Sequence, residues 1–371
     1  MDNVPVWGRD DWEALPRLHD DLEADVCVVG LGGSGLSAVR ELRALGRSVV
    51  GVDAGSVAGG AAGRNGGLLL AGLAAFHHDA RARLGAERAV ALYRATIEGV
   101  EAELATAGAT ARRVGSLRIA VDAAEEADCA EQYAIMRADG LPVERYTGPE
   151  GVGLLFPNDA VFDPLARCRR LARLALAAGA KLFEHSPVVE LSGERVRTVH
   201  GSVACGSVVV AVDGRLAKLL PELAREVKDV RLQMLATAPT TEVSLPLPVY
   251  RRYGYEYFQQ LPDGRVALGG FRDHGGEAEW TDAAEPSALV QGLLEAYLRD
   301  GLGVGAPITH RWAATVGYTD TLLPVAREAR EGLWAIGGYS GTGNVVGAVL
   351  GRAVARRALG LPSAEWDLIA S

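Results

Sequence analysis

Ala24-Asp25-Val26-Cys27-Val28-Val29-Gly30-Leu31-Gly32-Gly33-Ser34-Gly35 is the stretch on which the fold turns. From Val26 to Val29 the run is apolar without alternation, which predicts a strand buried on both faces that ends in a glycine turn. Ser34 to Leu45 carries helical spacing that Gly46 stops, and Arg47 to Asp53 predicts a second buried strand. The unit is βαβ with G-x-G-x-x-G at its turn. Gly30 permits the tight turn, Gly32 lets backbone approach a pyrophosphate, and Gly35 lets the helix pack close to the strand. Gly33 and Ser34 lie where the helix start presents free N–H groups and the positive end of its dipole. Asp53, followed by Ala54, ends the second strand where a carboxylate can bind ribose hydroxyls. Strand, helix and terminal acid together predict a dinucleotide site.

Outward from this unit the pattern changes twice. Residues 78–107 predict a long helix, 115–121 a strand, 123–139 another helix, and Asp163-Pro164 opens a helix running to Ala178. Lys181 to Leu191 and Ser207 to Asp213 predict short apolar strands. Residues 230–239, 248–260 and 265–272 alternate as in an antiparallel sheet with one covered face, with Pro262-Asp263-Gly264 as a turn. A last strand, Leu333 to Ile336, runs into a closing helix from about Asn344 to Leu359. The expected fold class is α/β plus β, a Rossmann-like dinucleotide domain with a discontinuous antiparallel-sheet substrate domain. Its boundaries are expected at 20–77, 160–228 and 308–371 for the first domain, and at 78–159 and 229–307 for the second.

Length and composition narrow the function classes. The 371 residues suit two lobes, with 49% hydrophobic and 23% charged residues as in an ordinary soluble enzyme. A formal charge of −9 argues against a nucleic-acid partner, and Arg167, Arg169 and Arg170 read as solvated helix faces. The polar start lacks a secretory pattern, and no uncharged apolar stretch reaches membrane-spanning length, so no membrane partner and a cytoplasmic location are expected. Cys27, Cys129, Cys168 and Cys205 are far apart and read as reduced structural thiols. His77-His78 is the close histidine pair and reads as a surface helix start, with no metal site expected.

Three later segments favour FAD over NAD. Gly59-Gly60-Ala61-Ala62-Gly63-Arg64-Asn65-Gly66-Gly67 follows the acidic residue, and its small residues allow a loop to run along pyrophosphate and flavin. Val188 and Val189, then Ala211-Val212-Asp213, could flank adenine or ribose. Gly337-Gly338-Tyr339-Ser340-Gly341-Thr342-Gly343-Asn344 opens the last helix, where backbone N–H groups could meet a second anionic centre.

These residues resemble the D-amino-acid oxidase superfamily, in the branch holding glycine oxidase, sarcosine oxidase and γ-glutamylputrescine oxidase. The resemblance covers nearly the whole chain, from the Ala24–Asp53 fingerprint and the Gly63-Arg64-Asn65-Gly66-Gly67 loop through Phe162–Val188 to Trp312-Ala313-Ala314, Thr319-Asp320 and Gly337–Gly343. It implies a glutathione-reductase-like FAD domain, with Val188 on the adenine side and Gly341, Thr342 and Gly343 against the flavin. It implies hydride removal from the carbon beside an unprotonated amine, hydrolysis of the imine, and reoxidation by molecular oxygen with release of hydrogen peroxide. FAD carries that chemistry while the protein positions it.

Two departures bear on the substrate. No cysteine follows Cys205, so the covalent linkage of sarcosine-oxidase relatives is ruled out and non-covalent FAD is implied. Glycine-oxidase-like members carry a carboxylate-binding arginine four residues after the tryptophan of the Trp-Ala-Gly stretch, and Val316 stands there here. Tyr250 to Gln260, read as one strand, places Tyr253, Tyr255 and Tyr257 on one face and Arg252, Glu256 and Phe258 on the other. Such a tyrosine face could enclose a small amine, with Phe271 and Arg272 on the next strand after Gly269-Gly270. Arg272 is the first candidate for a substrate carboxylate, Arg64 the second and Arg252 the third. The expected substrate is glycine, an N-substituted glycine or a related secondary amine. The alternatives are a primary amine of the γ-glutamylputrescine type and a flavin dehydrogenase that passes electrons to another acceptor.

Overall fold

The computed structural model of the chain describes residues 3–8 and 11–370. Strand Asp21–Val29 is central and pairs in parallel with Val49–Val52 on one side and Ser202–Val210 on the other. Val26 and Val28 enter one core while Cys27 and Val29 enter another, so both faces are covered and the strand reads as unbroken apolar sequence. Lys181–Phe183 continues the parallel sheet beyond Val49–Val52, and Leu333–Gly337 pairs with the C-terminal half of Ser202–Val210. Antiparallel strands Val188–Leu191, Arg195–Thr198 and Val325–Arg330 complete an eight-stranded sheet.

Helices Gly33–Ala44, Pro164–Ala177 and Val346–Arg357 pack into the core on one face of that sheet. Asp163 caps the second of them, accepting the N–H groups of Leu165 and Ala166. A side chain at Gly351 would overlap the Ser34 carbonyl, so glycine there lets the first and last of these helices cross closely. Sequence-distant ends of the chain are thereby brought to one place.

The second sheet also has eight strands, in the order Ile308–Tyr318, Lys228–Thr237, Val266–Gly270, Glu256–Gln260, Val249–Arg251, Ser116–Ile119, Gly151–Phe156 and Glu144–Gly148. It is antiparallel except where Val249–Arg251 meets Ser116–Ile119. This α/β lobe joined to an antiparallel-sheet lobe is the fold class expected. The segment 78–159 divides between the lobes. Gly99 of helix Ala86–Ala107 lies against Val345 and Val349 at the last helix of the α/β lobe, whereas Ser116–Ile119, Glu144–Gly148 and Gly151–Phe156 join the antiparallel sheet.

Several local expectations are corrected. Residues 248–260 are a hairpin, because Arg252 and Tyr253 adopt left-handed backbone (φ 50° and 54°) and turn the chain between Val249–Arg251 and Glu256–Gln260. The following strand ends at Gly270, Phe271 is left-handed (φ 60°), and Arg272 begins a short helix. Gly85 (φ 82°) breaks the long helix into His77–Leu84 and Ala86–Ala107. His77 and His78 are buried rather than a surface start, each bonded to helix Ala123–Ala138 or its cap through Asp139 (2.7 Å) and Asp128 (3.0 Å). Arg167 is buried too, and its Nε donates to Glu103 at 2.7 Å. No helix among the described residues is long and apolar enough to cross a membrane.

Candidate active site

The glycine turn is built as its spacing demands. Gly30 has φ 102°, and a side chain there would press on Ala211 and Val212 at the end of the neighbouring strand. A side chain at Gly35 would overlap the Gly30 carbonyl, so the helix could not sit on its strand. Gly32 caps the helix with no side-chain hydrogen bond, which leaves first-turn N–H groups to an anion. Asp53 stands beside this turn, one oxygen accepting the Leu31 N–H (2.7 Å) and the other that of Gly55 (2.8 Å). Burial raises its carboxyl above the ordinary range, while those two N–H donors pull the other way.

The loop Gly59–Gly67 and the turn Gly337–Asn344 meet through one amide pair. Asn65 and Asn344 each donate to the other's side-chain oxygen (2.9 and 3.0 Å), and Asn344 also donates to the Leu68 carbonyl. Ala62 lies against Gly32, which ties the loop to the glycine turn. The turn itself places Ser340 at φ 51°, fixes Thr342 to the Tyr339 carbonyl (2.8 Å), and lays the Tyr339 ring on Gly343 and Gly347. The N-terminal glycine turn, with Asp53 beside it, and the C-terminal turn are thus joined through the loop Gly59–Gly67 into a side-chain-poor path. Such a path fits a dinucleotide that runs from ribose through pyrophosphate to a second anionic centre. Val188 pairs with Thr198 at the margin of the same sheet, and Ala54 is exposed on the loop after Asp53.

At the far end of this path the antiparallel sheet contributes an aromatic group. Tyr257 pairs with Gly269 across the hairpin, where any side chain would overlap its ring, and that ring lies against Gly66. Gly269-Gly270 therefore makes room for Tyr257 and for the backbone of Tyr255. The Arg272 guanidinium lies 4.5 Å from the Tyr318 ring centre, 5.0 Å from that of Tyr255 and 5.7 Å from that of Trp280. Among the described residues no carboxylate pairs with Arg272, whereas Phe271 is buried behind it against Tyr297. The Tyr318 hydroxyl stands 3.4 Å from the point where a side chain at Gly341 would begin. Burial raises the phenols of Tyr257 and Tyr318 above their usual range, and Arg272 opposes this at both.

The other two candidate arginines are committed elsewhere. Arg64 donates to the Ala313 carbonyl and to Asn3, and its own carbonyl accepts the Trp312 indole N–H at 2.7 Å, so it ties its loop to the sheet. Arg252 pairs with Glu256 (3.0 Å) and Asp273 on the hairpin turn. Tyr253 is exposed and packs near Phe76, away from Tyr255 and Tyr257. Two residues of this region were missed as site candidates. Tyr318 shares a strand face with Val316 and Trp312, so alternation from Val316 would have reached it had Ile308–Tyr318 been recognised as a strand. Asp213, which the sequence marks only as a flank of adenine or ribose, accepts the N–H groups of Gly317 and Tyr339 through its carboxylate.

The chain matches the family described as FAD dependent oxidoreductase over residues 25–357. A probable oxidoreductase, OrdL, of Rhizobium meliloti (strain 1021) is 27% identical over 96% of this chain and 87% of its own. The gamma-glutamylputrescine oxidoreductase of Escherichia coli (strain K12) is 26% identical over 91% and 84%. The crystal structure of glycine oxidase from Geobacillus kaustophilus superposes with a TM-score of 0.75 at 21% identity, covering 92% of this chain and 96% of that one. With a match spanning both lobes and a glycine turn, acid and C-terminal turn that fit the cofactor, the chain belongs to the FAD-dependent oxidoreductase family.

Proposed function

We propose that this flavoenzyme oxidises the carbon–nitrogen bond of a small amine or amino acid, with oxygen as electron acceptor and hydrogen peroxide as product. The observation that carries the reading is the Arg272 guanidinium, enclosed by Tyr255, Tyr318 and Trp280 without a carboxylate partner. It lies against Tyr318, whose hydroxyl is near Gly341, and close to Tyr257, whose ring is on Gly66; these glycines stand in the two loops that would border the flavin. FAD, when bound, supplies the hydride acceptor. Gly30, Gly32, Gly33, Ser34 and Gly35 would hold its pyrophosphate, Asp53 its ribose, and Gly63–Gly67 with Gly338–Gly343 its flavin end. Arg272 would fix a substrate carboxylate, so that the amine-bearing carbon is presented in one orientation. Tyr257 and Tyr318, with phenols held above their usual range, stay neutral and donate hydrogen bonds rather than remove protons. The FAD is non-covalent, since no cysteine follows Cys205.

A second reading, oxidation of a primary amine at the end of a longer molecule, is favoured by buried Val316 and by the similarity to the gamma-glutamylputrescine oxidoreductase. One preparation separates these readings. Acid precipitation should leave intact FAD in the supernatant. Peroxide release across a panel of glycine, N-methylglycine, other small amino acids and diamine derivatives should single out a carboxylate-bearing amine. Dye reduction without peroxide would replace oxidase by dehydrogenase, and turnover of carboxylate-free primary amines alone would transfer the assignment to the second reading.

A further inference from the structure

Asp213 follows the strand Ser202–Val210 and its short extension in left-handed backbone (φ 54°), with a partly buried side chain. One oxygen accepts the Tyr339 N–H at 3.1 Å and the other the Gly317 N–H at 3.2 Å. Side chains at Gly317 and Gly337 would both press on the Asp213 backbone, so three chain segments are in contact around one residue. Gly317 precedes Tyr318, whose ring meets Arg272, and Tyr339 precedes Ser340-Gly341. We infer that Asp213 is a positioning residue that fixes the cofactor turn Gly338–Gly341 against Tyr318, and that its ionised carboxylate is the form that supports FAD binding.

An ionised carboxylate offers lone pairs to several N–H groups at once, whereas a protonated one must direct its own hydrogen at a donor. Burial raises the Asp213 carboxyl to about 6, so the better acceptor is lost within an accessible pH range. The titratable groups nearest to it are the phenols of Tyr318 and Tyr339, both raised by burial and so neutral throughout that range. At the adjoining surface Lys228 pairs with Asp320, and Asp229 accepts the Arg215 N–H. This inference rests on FAD binding and is independent of the substrate.

The test uses the holoenzyme, diluted to equilibrium from about pH 8 down to about pH 5, with free flavin read by its fluorescence. In the native protein the FAD dissociation constant should rise about tenfold as the pH falls through about 6. Asp213→Asn should bind FAD as weakly at the upper pH as the native protein does at the lower, with a flat profile. Asp53→Asn, which keeps Asp213, should bind more weakly overall and retain the fall. A flat native profile, an Asp213→Asn profile parallel to the native one, or loss of the fall in Asp53→Asn would each overturn the inference. The last comparison decides the matter even where Asp213→Asn does not fold.

Discussion

Arg272 shows how a single side chain is read differently once its neighbours are known. In the sequence two acids follow it closely, Asp273 and Glu277, yet Asp273 pairs with Arg252 instead. The left-handed Phe271 turns Arg272 out of the strand and among three rings, where its flat guanidinium can stack. Arg272→Ala should therefore raise the Michaelis constant for a carboxylate substrate by an order of magnitude or more, as loss of about 1.5–3 kcal/mol requires. FAD content and the flavin spectrum should stay native. Arg252→Ala, by contrast, should weaken the hairpin's ion pairs and leave that constant within about twofold. An unchanged Michaelis constant in folded Arg272→Ala would remove the residue from the site.

At the scale of elements, the βαβ unit and the hairpin behave in opposite ways. The glycine turn is local, because each requirement (a left-handed φ, a backbone approach, a close helix) is met within a few residues of the chain. Gly35→Ala should cost about 1–3 kcal/mol or more, since the added methyl meets backbone that cannot move aside, and flavin absorbance per protein should fall with it. Gly60→Ala, with no protein atom near its side-chain position and φ −86°, should melt as the native protein does. Equal melting temperatures for the two variants would show that helix Gly33–Ala44 shifts freely on its strand. The hairpin at Val249–Gln260 is a tertiary matter. Its residues alternate as one strand would, but Glu256 is buried between Arg251 and Arg252 (3.0 Å each), and the main-chain N–H groups of Arg252 and Tyr253 donate to Glu125.

Across the whole molecule, buried carboxyls join segments distant in the chain. Asp159 accepts the Ala71 N–H (2.9 Å) and the Ser116 hydroxyl (2.6 Å), linking the segment after Leu68–Leu69 to the antiparallel sheet. Burial raises its carboxyl to about 7. With the folded value above the unfolded one, the native state binds more protons, so stability falls as pH rises from the ordinary carboxyl range through about 7. The cost above that point is on the order of a few kcal/mol. Asp159→Asn can still accept from Ala71 and donate to Ser116, so its melting temperature should exceed the native one by several degrees at about pH 8, with the gap closing toward about pH 4. A native melting temperature that does not fall relative to the variant over this interval would show that Asp159 remains ionised at little cost.

By itself the sequence determined the βαβ unit, its glycine turn, the acid at Asp53, the capped helix at Asp163-Pro164 and the alternation of α/β with antiparallel strands. These rest on short-range rules of φ, hydrogen bonding and hydrophobic period that act within a few residues. The family resemblance, carried by the Gly63–Gly67 and Gly337–Gly343 segments, extended this to FAD. Only the tertiary structure decided which side chains converge. Tyr318 meets Arg272 because the strand ending at Tyr318 runs beside Lys228–Thr237, and Asn65 meets Asn344 across 279 positions of sequence. It also decided that His77, His78 and Arg167 are buried, since each finds an acid on another helix or its cap. Such partners are fixed by packing between elements, and no local pattern in the chain encodes which charged residue another will reach.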